Sequence, residues 1–101
     1  MELDIEQRKV LTGLTRYIWW QDPHHSLLNP ERLIAQVMDL GSLEDVHSLE
    51  SVFSPDILRN VLQIAEPGWF RPKSWSFWHY RLMVIEVNED PPVRPFRRYS
   101  A

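Results

Sequence analysis

A helix-start signature recurs through the middle of this chain, and it limits the fold more than any other feature. Asn29-Pro30-Glu31 supplies a capping residue, a proline whose φ is already helical, and an acid in the first turn. Leu33, Ile34, Val37 and Met38 then share one helical face, and Gly41 follows where a left-handed residue commonly ends a helix. Ser42 caps the next segment, with Asp45 three residues on in capping-box spacing. Leu43, Val46, Leu49, Val52 and Phe53 mark its apolar face. Ser54-Pro55-Asp56 repeats the start, and Ile57, Leu58, Val61, Leu62 and Ala65 line a third face. Three short helices with such brief joints predict an all-α protein, a small bundle of four or five short helices.

The flanks are less regular. Leu3, Val10, Leu11 and Leu14 predict a helix over residues 3–16, with Ile5 off the stripe and Gly13 weakening it. Tyr17-Ile18-Trp19-Trp20 follows, Gln21-Asp22-Pro23 reads as a break, and residues 24–28 read as a loop. Pro67-Gly68 and Pro72 predict turns. Trp75, Trp78 and Leu82 stand at i, i+3 and i+7, which favours a helix capped by Ser74, while β-branched and aromatic content keeps a strand open for residues 82–87. Beyond Asn88, Pro91, Pro92 and Pro95 exclude regular structure. With 101 residues there is room for one domain, expected at 1–87, followed by an extended, basic, proline-rich tail at 88–101.

Little in the chain suggests catalysis. It has no cysteine, which removes disulfides, thiol nucleophiles and sulfur-ligated zinc. His24 and His25 are adjacent, and His47 and His79 lack a histidine at i+3 or i+4, so no metal site is expected. Glu44-Asp45 and Glu89-Asp90 are neighbours whose side chains diverge, unlike a proton-sharing dyad. With three glycines, no phosphate-cradling loop, dinucleotide fingerprint or G-x-S-x-G elbow occurs. The expectation is a non-enzyme without metal or organic cofactor; a small hydrolase would have to assemble His24, His47 or His79 from distant segments. No secretory pattern opens the chain and no apolar run approaches a membrane span, so a cytoplasmic protein away from membranes is expected.

The five tryptophans carry more information. Trp69, Phe70, Trp75, Phe77, Trp78 and Tyr80 crowd together with Arg71, Lys73 and Arg81, a mixture that suits core packing, a protein contact, or stacking on single-stranded nucleic acid. Residues 75 and 77 lie about 200° apart on a helix, so some aromatic surface must turn outward. Residues 1–70 hold 5 basic against 11 acidic side chains, which argues against phosphate partners, whereas residues 71–101 are net basic. Candidate partner-binding residues are Trp19, Trp20, Trp69, Trp75, Trp78 and Arg81, joined by Phe96, Arg97 and Arg98 of the tail. That tail is expected to pack on its own domain or on a second copy in a swapped dimer, anchored by Phe96.

One resemblance connects these signals. Trp19-Trp20-Gln21-Asp22, then Arg32 to Gly41 with Ile34, Val37 and Met38, then Glu44-Asp45, Leu49 and Phe77-Trp78 follow a W-x-x-D … R-x-I-x-x-V-M-x-x-G-x-x-E-D … L … F-W pattern. In this the chain resembles a family of short prokaryotic proteins often encoded beside AbiEii-type nucleotidyltransferase toxins and taken to be antitoxin-like. The resemblance covers residues 17–82 and leaves out the basic tail. It implies a helical, non-catalytic protein-binding regulator whose partner is a nucleotidyltransferase-type toxin.

Overall fold

The computed structural model describes residues 1–86 and 88–95. It is all-α: α1 (Ile5–Leu14), α2 (Pro23–Leu27), α3 (Pro30–Leu40), α4 (Leu43–Val52), α5 (Pro55–Ile64) and α6 (Pro72–Arg81), with a 3₁₀ turn at Thr15–Ile18 and no strand among the described residues. The helix count therefore exceeds the expected four or five. The additional helix is α2, where a loop was expected. Asp22-Pro23 is not a break but another start signal, the Asp22 carboxylate accepting from the His24 N–H at 2.8 Å with proline at the first helical position.

Helix α3 is the hub and touches every other helix and the 3₁₀ turn. Leu33, Ile34, Ala35 and Val37 are fully buried, and even Gln36 on the same helix is enclosed, its amide oxygen accepting from Arg32 at 2.9 Å. A helix apolar on so many sides belongs in the centre of its fold. Around it pack Leu11, Leu14 and Ile18, then Leu49, Phe53, Leu58, Val61 and Leu62, and from the C-terminal half Trp69, Phe70, Trp75, Trp78 and Leu82.

The caps explain where the helices stop, and several differ from expectation. Gly41 is not left-handed: its φ is −66° and its ψ 147°. Glycine is needed there because a Cβ would lie 2.4 Å from the Val37 carbonyl oxygen, which already accepts the Gly41 N–H at 2.7 Å. Ser42 caps α4 by accepting the Asp45 N–H at 3.2 Å, but Asp45 does not reach back to complete the box. A full reciprocal box stands instead at α1, where Asp4 and Gln7 bond each other's backbone N–H groups at 2.7 and 3.1 Å. Leu43 sits outside the α4 core face and is largely exposed.

Ser74 is not the cap of α6, which begins two residues earlier. The cap arrives from another helix: Asp39 accepts from the Arg71 N–H at 3.0 Å and from the Ser74 hydroxyl. In return α6 satisfies the orphan carbonyls at the end of α3, Trp78 Nε1 donating to Met38 O at 2.7 Å and Arg71 Nη2 to Asp39 O at 2.8 Å. At its own end α6 closes in a Schellman motif, with Met83 N–H on Tyr80 O and Val84 N–H on His79 O. The left-handed position of that motif falls on Met83, at φ 57°, rather than on glycine. The strand alternative for residues 82–87 thus gives way to a helix end followed by turns and bends over the described residues.

Candidate protein-binding surface

The candidate tryptophans separate into two groups. Trp69, Trp75 and Trp78 are core residues; Trp78 is fully enclosed, and Trp69 keeps the Arg32 guanidinium over its ring at 5.4 Å. Trp69 and Trp78 offer no face to a partner, while Trp75 is covered on one side by residues 92–95 and donates its indole N–H to the Pro92 carbonyl at 2.7 Å. Trp19 and Trp20 are the opposite case, 81% and 52% exposed, packed edge to face with ring centres 5.8 Å apart.

Local geometry puts them outside. The 3₁₀ turn advances about three residues per turn, so with Ile18 buried at 2% exposure the next two side chains fall on the other two sides. The turn is held at both ends. The Gln21 N–H returns to Ile18 O at 3.2 Å, and the buried Ser26 hydroxyl donates to the Gln21 amide oxygen at 3.3 Å. Upstream, the Tyr17 hydroxyl donates to Asp45 and accepts the Ser42 N–H at 3.3 Å, while Arg16 also bonds Asp45. The Tyr17 hydrogen bond, with help from Arg16 and Ser42, holds the Asp45 carboxyl below its ordinary range. This bracket from the 3₁₀ turn to α4 is invisible in sequence because its members lie 28 and 29 residues apart. The tryptophan pair consequently projects from a fixed corner.

Arg81 is exposed but engaged. It meets Glu50 in a fork, Nε to Oε2 at 2.9 Å and Nη2 to Oε1 at 2.8 Å, and its guanidinium lies near the rings of Phe77 and Trp78. The fork raises the Arg81 pKa and lowers that of Glu50. Arg71 is likewise held by Asp39. Outward aromatic surface on α6 comes from Phe77 and Tyr80, both exposed, in keeping with the angular separation of residues 75 and 77. Phe96, Arg97 and Arg98 lie outside the described residues.

Of the histidines, His24, His25 and His47 are exposed, whereas His79 is buried with Nδ1 2.7 Å from the Trp75 carbonyl, a contact that requires its proton on Nδ1. Among the described residues no group of three His, Asp or Glu side chains could hold a metal ion, and no helix is long and apolar enough to cross a membrane. Comparisons with protein-family models, with curated proteins and with solved structures found no match to the chain.

Proposed function

We propose that this chain is a non-catalytic protein-binding regulator whose contact is centred on Trp19 and Trp20. The observation that carries the proposal is an exposed, edge-to-face tryptophan pair mounted on a corner held by hydrogen bonds on both sides. Large aromatics exposed together on a rigid support are the residue type and setting of interface hot spots, because little side-chain entropy remains to be lost on binding. The finer form of the proposal, an antitoxin-like partner of a nucleotidyltransferase toxin, rests on the sequence resemblance over residues 17–82. A nucleic-acid-binding module built on residues 69–81 has weaker support. Trp75 and Trp78 have no accessible face for base stacking, and Arg71 and Arg81 already engage carboxylates.

Co-expression with the product of the adjacent gene tests the proposal. A stable complex in size-exclusion chromatography, with loss of nucleotidyl transfer by the partner, is the expected result. An adjacent product that is no nucleotidyltransferase would remove the finer form, and a partner that binds equally well without Trp19 and Trp20 would remove the site.

A further inference from the structure

The side of α6 that carries Trp75, His79 and Tyr80 already holds a segment of the chain itself, residues 89–95. Trp75 Nε1 donates to Pro92 O at 2.7 Å, the Tyr80 hydroxyl donates to Glu89 O at 2.7 Å, and Arg94 reaches back to Phe70 O at 2.8 Å. Pro92, Val93 and Pro95 line a cavity of about 610 Å³ together with Arg59, Leu62, Trp75 and His79. Behind it the Trp75 ring is braced by His79, whose ring centre lies 4.2 Å away, and by Phe70 at 5.7 Å.

These are the physical elements of proline-rich recognition. Prolines 91, 92 and 95 fix φ, and residues 90, 91 and 94, each preceding a proline, are pushed to extended conformations, so the strand loses little entropy on docking. An extended backbone satisfies none of its own carbonyls, and an aromatic wall bearing indole and phenol donors supplies partners at intervals along it. The indole of Trp75 is 6% exposed, so its N–H is aimed at the peptide rather than at solvent.

We propose that this face of α6 is a recognition site for extended proline-rich segments, occupied in cis by the chain's own residues 89–95, so that the same segment offered in trans competes for it. The proposal is independent of the Trp19–Trp20 contact, which lies on other elements. A covalently attached ligand acts at an effective concentration near the millimolar range, so the site in the unaltered chain is masked rather than missing.

The test uses the full chain with Pro91, Pro92 and Pro95 all replaced by glycine, which leaves the backbone carbonyls but removes the preset conformation. The probe is a capped peptide with the sequence of residues 88–95, and the readout is the Trp75 indole N–H resonance. Addition of peptide is expected to shift that resonance saturably, at a half-saturation at least about tenfold below that of the unaltered chain. A peptide with alanine at the three proline positions is expected to bind about tenfold more weakly or not at all, and Trp75→Phe, read by the fluorescence anisotropy of a dye-labelled copy of the peptide because the reporting indole is gone, to abolish binding while helical circular dichroism is kept. Equal binding of the alanine peptide, or no saturable shift, overturns the proposal. Tyr80→Phe in the otherwise unaltered chain provides a second readout. Faster solvent exchange of the Trp75 indole N–H, which the Pro92 carbonyl holds, is expected, and unchanged exchange counts against the site.

Discussion

Trp78→Phe isolates the junction on which α3 and α6 depend. Trp78 is fully buried, and its indole N–H is the partner of the Met38 carbonyl, a C-terminal helix group with no intrahelical donor. Phenylalanine keeps the aromatic ring but cannot donate, so the carbonyl is left buried and unsatisfied at a cost of about 1–3 kcal/mol. The smaller ring leaves a void of roughly 40 Å³, adding about 1 kcal/mol at ~24 cal/mol per Å³. The combined loss of about 2–4 kcal/mol corresponds to a fall in Tm of roughly 10–20 °C for a domain of this size. Thermal unfolding followed at 222 nm measures it, with Trp19→Phe as a matched control at a site 81% exposed, where a change within about 0.5 kcal/mol is expected. A Trp78→Phe variant melting within about 2 °C of the unaltered chain would refute the assignment of that hydrogen bond as the seal of the junction.

Stability should be flat with pH near neutrality and fall on acidification. Asp45 and Glu50 both titrate below their ordinary values in the fold, Asp45 chiefly through Tyr17 and Glu50 chiefly through Arg81. Their contribution is present above the unfolded-state carboxylate range and is lost as pH falls through the folded values, below about pH 5. Tyr17→Phe and Glu50→Gln should each reduce the slope of Tm against pH in that window, and an unchanged slope in both would contradict the pairing. Gly41→Ala should destabilise by about 1–3 kcal/mol because its Cβ meets the Val37 carbonyl, whereas Gly13→Ala, in α1 with nothing within 4 Å, should stabilise by about 0.5–1 kcal/mol. Met83→Gly should raise Tm, since glycine removes a left-handed penalty of roughly 1–2 kcal/mol and returns part of it as chain entropy.

Much of the bundle was legible because its signals are local. A capping-type residue followed within two positions by a proline or an acid marks a helix start from adjacent residues alone, which is why α3, α4 and α5 are legible at nearly their observed bounds. Asp22-Pro23 carries the same kind of signal and starts α2, but a proline there is equally compatible with the end of the preceding segment, so the local sequence leaves this helix ambiguous. Legibility failed where a group's partner is remote in sequence. Asp39 caps α6 across 32 residues, Trp78 caps α3 across 40, and Asp45 gave up half of a capping box for Tyr17 and Arg16. The candidate site was legible in part for the same reason. Periodicity marked Trp75 and Trp78 as sharing a face but could not say that the face is buried, whereas nothing local distinguished the outward Trp19 and Trp20 from them.

The decisive measurement is binding by a Trp19→Ser, Trp20→Ser double variant to the partner captured in co-expression, with thermal unfolding of the variant run in parallel. Both side chains stand largely outside the core, so the unfolding free energy should stay within about 1 kcal/mol of the unaltered chain while the complex is weakened by at least about a hundredfold in Kd. A complex that survives with both indoles gone would contradict the assignment of this corner as the contact, and a variant that unfolds would contradict the placement of both indoles outside the core.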